Sequence, residues 1–169
     1  MKITVSEINE EGLELELNDQ IESDALKLLS PVHSVLRIDR IAAEVTVKGV
    51  VSSKVALQCG RCLKNFDLEL KSRIDDVYRP IQEMEKEVHA ELKGDELDTG
   101  FYSGDVIDTD DVLIEQLLLS APMKPLCSED CKGICPVCGA DLNTIQCDCE
   151  QGDGDPRFAV LKKLKERKE

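Results

Sequence analysis

Six of the chain's eight cysteines fall between residues 127 and 149, in CSEDCKGICPVCGADLNTIQCDC. They are Cys127, Cys131, Cys135, Cys138, Cys147 and Cys149, and the remaining two, Cys59 and Cys62, form a distant Cys-Gly-Arg-Cys. All eight come in close pairs: 59/62, 127/131, 135/138 and 147/149. Two thiolates three positions apart can face one metal ion, and a glycine just after them lets the backbone turn beneath the sulfurs. Four pairs are enough for two tetrahedral four-cysteine sites, or for one site with spare thiols. The chemistry expected is structural zinc. Catalytic zinc keeps an open position and usually takes His or carboxylate ligands. The only histidines, His33 and His89, have no partners at ligand spacing.

Disulfides, free core thiols and a redox pair are the competing readings. The start, MKITVSEINEEG, is acidic after Lys2 and has no apolar run, as expected of a chain without a secretory signal. The expected setting is the cytoplasm, where thiols stay reduced and metal is favoured over disulfides. A thiol oxidoreductase would need Cys59 or Cys62 reactive and metal-free.

The elements that carry the cysteines can be read from periodicity. Ile41, Ala43, Val45 and Val47 alternate mostly with polar residues, and Val51, Val55 and Leu57 lead into Cys59. After Cys62 come Phe66, Leu68, Leu70, Ile74 and Val77. Two long strands joined through Cys59-Gly60-Arg61-Cys62 predict an antiparallel hairpin with the knuckle at its tip. Gly49 is expected to mark a bend or bulge. Near the start, Ile3, Val5 and Ile8 precede a Glu10-Glu11-Gly12 turn and the alternating Leu13, Leu15 and Leu17. The segment from Asn18 to Ser30 reads as a short helix stopped by Pro31. Residues 80–104 read as a loop, with a short strand at 87–92. Asp108 or Thr109 caps a helix over 109–121, with Asp110 and Asp111 at its positive end. Its apolar residues spread around most of the circumference, which predicts burial on most sides. Pro156 begins a basic terminal helix, which either packs on the core or touches RNA.

These elements predict an α+β fold: an antiparallel curled sheet or small barrel, a few helices and a C-terminal zinc-knuckle segment. The expected division is 1–121, β-rich with its helix, and 122–169, cysteine-rich and packed on the same domain. Hydrophobic residues make up 41% of the 169, enough for a sizeable core, and no apolar run approaches the ~20 residues of a membrane helix. The net charge is −14, which argues against a surface that grips nucleic acid throughout. The charge is uneven. Residues 83–115 hold 12 acidic and 2 basic side chains, whereas 156–169 hold 6 basic and 2 acidic. The acidic run is a solvated loop or a docking surface for a basic protein. Phosphate-binding glycine loops and hydrolase motifs are absent from the sequence.

Four stretches together resemble the YceD family. They are Cys59 to Phe66 (CGRCLKNF), Ala121 to Cys127 (APMKPLC), Cys131 to Asn143 (CKGICPVCGADLN) and Asp155 to Leu164 (DPRFAVLKKL). The family is named for accumulation of large-subunit ribosomal RNA. The resemblance implies a role in ribosome biogenesis, in 23S rRNA accumulation or maturation, and does not imply an enzyme. Some members lack the knuckle found here at Cys135 and Cys138, so a second metal site would act as a stabiliser.

The expected partners are large-subunit rRNA or a pre-50S particle and a basic ribosomal protein, with no membrane and no small-molecule substrate. The charge split suggests an adaptor. The acidic segment would hold a basic protein, while the terminal helix or the region of Arg61 and Lys64 approaches rRNA. The expected metal grouping is Cys59, Cys62, Cys127 and Cys131 in one site and Cys135, Cys138, Cys147 and Cys149 in the other. Other groupings stay open, for example Cys131 with Cys135 and Cys138. The competing function is a zinc-stabilised acidic protein-binding module unrelated to ribosomes.

Overall fold

The computed structural model describes residues 1–81 and 99–149. In chain order it contains β1 (Lys2–Thr4), a 3-10 turn (Val5–Glu7), β2 (Leu13–Asp19), β3 (Lys27–Leu28) and β4 (Val32–Ile41). There follow β5 (Glu44–Gln58), β6 (Asn65–Pro80), β7 (Thr99–Tyr102), β8 (Val106–Asp108) and α1 (Thr109–Ser120). The described residues divide into two compact units. One comprises 1–57 with the described part of 66–125, and the other 58–65 with 126–149.

The first unit is mostly sheet. Its six-stranded sheet runs β2-β4-β5-β6-β7, with β3 paired to β5, and β1 and β8 form a separate pair. Among the described residues the sheet stays open, with β2 and β7 at its edges, and forms no barrel. Nor is it wholly antiparallel: Val77↔Thr99 to Pro80↔Tyr102 pair β6 with β7 in parallel. Residues 99–102, expected within a loop, are therefore a strand. The expected strand at 87–92 and the terminal helix lie outside the described residues, as does His89.

Alternation builds the core. Along β4, Val32, Ser34, Leu36 and Ile38 are buried while His33, Val35 and Arg37 face outward. In β5, Val45, Val47, Val51 and Val55 join the same hydrophobic cluster. Pairing continues through Leu36↔Gly49 in unbroken register, so Gly49 forms no bulge. The expected helix from Asn18 is also absent. Asn18 and Asp19 extend β2 by pairing with His33 and Val32. The Ser23 hydroxyl then accepts from the N–H groups of Ala25 and Leu26, a local turn that competes with helix.

Ser34 is fully buried, and its hydroxyl has no hydrogen-bond partner among the described residues. A buried hydroxyl without a partner carries a desolvation cost and no return bond. Ser34→Ala is expected to stabilise the fold by about 1 kcal/mol. The check is the urea midpoint; a lower midpoint would show that the hydroxyl is bonded after all.

Helix α1 begins as its sequence predicts. The Asp108 carboxylate accepts from the Asp110 N–H at 3.1 Å, and Asp110 and Asp111 occupy the first turn. Thr109 donates from its N–H and its hydroxyl to the Met1 carbonyl, at 2.8 and 2.7 Å. Burial is confined to one face, carried by Thr109, Val112, Leu113 and Leu117. Leu118 and Leu119 are 45% and 72% exposed, which overturns burial on most sides.

Candidate metal centres

Strands β5 and β6 stop at Gln58 and Asn65 and leave six residues between them, too few for a parallel crossover, so they close as a hairpin. Cys59 to Lys64 form its tip. The Cys59 N–H donates to the Lys64 carbonyl at 2.9 Å and the Leu63 N–H to the Cys59 carbonyl at 3.0 Å. The Arg61 N–H lies 3.5 Å from Cys59 Sγ. Residues 135–140 repeat this turn bond for bond. Cys135 N–H donates to the Ala140 carbonyl at 2.8 Å, Gly139 N–H to the Cys135 carbonyl at 2.9 Å, and Val137 N–H reaches Cys135 Sγ at 3.4 Å. Both turns need a left-handed residue after the second cysteine. Gly139 supplies it at φ +72°, and Leu63 supplies it at φ +60°. For a residue with a side chain that conformation costs about 1–2 kcal/mol.

Arg61 ties the first knuckle to the segment at 127–134. Its guanidinium donates to the carbonyls of Glu129 and Cys131 at 3.1 and 2.9 Å, and its own carbonyl accepts from the Ile134 N–H at 3.2 Å. Gly133 sits over that carbonyl at φ +77°, where a Cβ would come within 3.0 Å of the oxygen. Asn143 braces the same segment. Its side-chain oxygen accepts from the Lys132 N–H at 2.8 Å, and its amide nitrogen lies 3.5 Å from Cys131 Sγ. Lys64 pairs with Asp141 at 2.5 Å. Lys64 and the Asn143 N–H together hold the Asp141 carboxyl down at about 2.

The eight sulfurs converge in two groups. Cys59, Cys62, Cys127 and Cys131 form one, and Cys135, Cys138, Cys147 and Cys149 the other; within each, the sulfurs all lie within 4.8 Å of one another. These are the two groups of four set out from the spacing. The alternative that joins Cys131 to Cys135 and Cys138 is not the one the backbone makes. Cys59 and Cys131 sulfurs are 3.8 Å apart, and those of Cys62 and Cys127 3.6 Å. Four sulfurs around a zinc ion at about 2.3 Å would stand about 3.8 Å apart at tetrahedral angles. The donor sets therefore fit a tetrahedral, thiolate-binding ion. Cys59, Cys62, Cys131 and Cys135 are buried, Cys147 and Cys149 half-buried, and Cys127 and Cys138 exposed.

Electrostatics within each group also point to a cation. The Cys62 N–H, with those of Cys127 and Arg61, lowers the Cys59 thiol to about 6 against the effect of burial. The N–H groups of Cys138 and Val137 do the same for Cys135, also to about 6. Their neighbours move the other way. Cys131 and Cys62 push Cys127 up to about 12, and Cys138 pushes Cys149 up to about 12. One thiolate forms readily and makes the next unfavourable. A bound divalent ion removes that opposition by neutralising the shared charge.

His33 is exposed on the outward face of β4 in the first unit, and both sulfur groups belong to the second. Sequence reading missed the Arg61 latch and the Lys64–Asp141 pair, because both join residues about seventy positions apart or more.

Residues 47–165 match the family model described as large ribosomal RNA subunit accumulation protein YceD. The chain is 29% identical over 158 residues to the uncharacterised protein YlbN of Bacillus subtilis, covering 92% of this chain and 86% of that protein. It is 28% identical over 162 residues to an uncharacterised protein of Mycobacterium tuberculosis, covering 89% and 73%. It is 25% identical over 175 residues to the large ribosomal RNA subunit accumulation protein YCED homolog 1, chloroplastic, of Arabidopsis thaliana, covering 82% of this chain and 50% of that protein. No solved structure matches. The family match begins within β5 and runs through both sulfur groups, and the chain belongs to the YceD family.

Proposed function

We propose that this chain is a non-enzymatic ribosome-biogenesis factor that supports 23S rRNA accumulation in the cytoplasm, with zinc in two structural sites. The observation that carries the reading is the family match over 47–165, joined to the name of the Arabidopsis relative. The donor sets support the absence of catalysis at the metals. Each is complete with four sulfurs, which leaves no ligand position for water or substrate on a tetrahedral ion. Among the described residues no helix is long and apolar enough to cross a membrane.

The chain would act as an adaptor between large-subunit rRNA, or a pre-50S particle, and a basic ribosomal protein. Seven of the twelve acidic residues of 83–115 and all of the basic terminal stretch that suggest this lie outside the described residues. The charge split in the sequence, net −10 over 83–115 against +4 over 156–169, is what supports it.

The test compares the 23S to 16S rRNA ratio in cells with and without the chain, together with its position in a ribosome gradient. The expected result is a lowered ratio and the chain near pre-50S fractions. An unchanged ratio with the chain at the top of the gradient would overturn the reading, and would favour a protein-binding module with no ribosomal role.

A further inference from the structure

The two knuckles are alike in backbone and share only their cysteines, and the residue after the second cysteine is where the backbone tells them apart. Gly139 takes the left-handed conformation after Cys138 without steric conflict. Leu63 takes the same conformation after Cys62 with a branched apolar side chain, and that side chain is 54% exposed. Glycine would serve the turn better, and burial gives back little. Among the described residues the side chain therefore has no burial that matches its cost in the backbone, which is how a strained residue held for binding presents itself. Val137 and Ile145 of the same unit are also exposed, at 62% and 56%.

The charge of this unit says what would cover Leu63. Residues 58–65 and 126–149 carry Arg61, Lys64 and Lys132 against Glu129, Asp130, Asp141 and Asp148. Four thiolates around a divalent ion leave two negative charges at each site, so the loaded unit stands at about −5 over these residues. Of the three cations, Lys64 is neutralised by Asp141 and Arg61 is turned onto backbone carbonyls. These residues include no Phe, Tyr or Trp on which a base could stack. Over these described residues, an acidic surface with exposed apolar side chains and no stacking platform complements a basic protein segment and repels RNA.

We propose that the first knuckle is a docking surface for a lysine- and arginine-rich protein segment, with Leu63 as its apolar anchor. The inference rests on the ribosome-biogenesis reading and moves the basic partner from the acidic run at 83–115 to the metal-bearing unit.

The test uses the full zinc-loaded chain and a panel of purified basic large-subunit ribosomal proteins, with fragments of 23S rRNA as the competing ligand. Fluorescence anisotropy reads binding at two salt concentrations. Wild type is expected to bind at least one panel protein, more weakly at the higher salt. Leu63→Gly removes the side chain and relaxes the backbone, and Leu63→Asn keeps a residue that tolerates the left-handed region. Both are expected to bind at least tenfold more weakly while keeping wild-type zinc content and an equal or higher Tm.

Wild-type affinity in both variants would overturn the anchor, as would tighter binding of the 23S fragments than of any panel protein. Loss of zinc from Leu63→Gly would overturn it too, by making the leucine a structural part of the knuckle. Failure of the whole panel to bind would remove the docking surface. The rRNA ratio in cells lacking the chain is a separate readout, so a lowered ratio with unimpaired Leu63→Gly binding would sink the anchor and leave the biogenesis reading standing.

Discussion

Cys127→Ser and Cys149→Ser are each expected to lower bound zinc by about one equivalent, measured on the purified chain by metal analysis. The two substitutions fall in different sulfur groups, so each should empty one site and leave the other filled. Zinc binding in small thiolate sites carries an apparent ~10–16 kcal/mol that is also folding free energy, so the loss is large. The consequences should differ in kind. The first group joins residues 59–62 to 127–131, so Cys127→Ser frees the hairpin tip from the later segment. Limited proteolysis should then cut readily within 122–149. The second group is local, and Cys149→Ser should loosen 135–149 while the first site keeps its ion. An unchanged zinc count in either variant would reject the partition into two sites.

Leu117→Ala is expected to destabilise the first unit by about 3 kcal/mol, within the range for emptying a packed leucine site. Leu117 is fully buried and shares its cluster with Val112 and Leu113 of the same helix and with the sheet residues of β4 and β5. Leu119, two residues on, supplies the control. It is 72% exposed, and Leu119→Ala should shift stability by no more than about 0.5 kcal/mol. Urea denaturation followed by circular dichroism reads both. Equal effects at the two positions would mean that the helix is not fastened by the face described.

Legibility from sequence followed the range of the interaction. The thiol pairs and the Asp108 cap depend on residues a few positions apart, and the hairpin depends on alternation with period two; these could be read directly. The stretch from Asn18 to Ser30 could not. Its polar residues suit several local conformations, and the pairing of Asn18 and Asp19 with β4 decided among them. Thr99–Tyr102 is four residues long with mixed character, and its strand identity comes from lying parallel to the end of β6. The leucines of α1 misled because they surround the helix, whereas only one side meets the sheet. Leu63 carries no signal in the sequence beyond its place after Cys62. Only the backbone places it in the left-handed region.

The separation between Cys62 and Cys127 also sets a timetable for synthesis. The two are 65 positions apart, and at translation speeds of about 5–20 residues per second the hairpin tip waits roughly 3–13 s for the other half of its ligand set. The sheet strands up to β6 can pair during that interval, so the β-rich unit is made before the first metal site can close. During the wait, Cys59 and Cys62 are a bare dithiol open to oxidants. Yield of the loaded chain should therefore depend on reducing conditions and free zinc at the end of translation, more than on the speed at which the sheet forms.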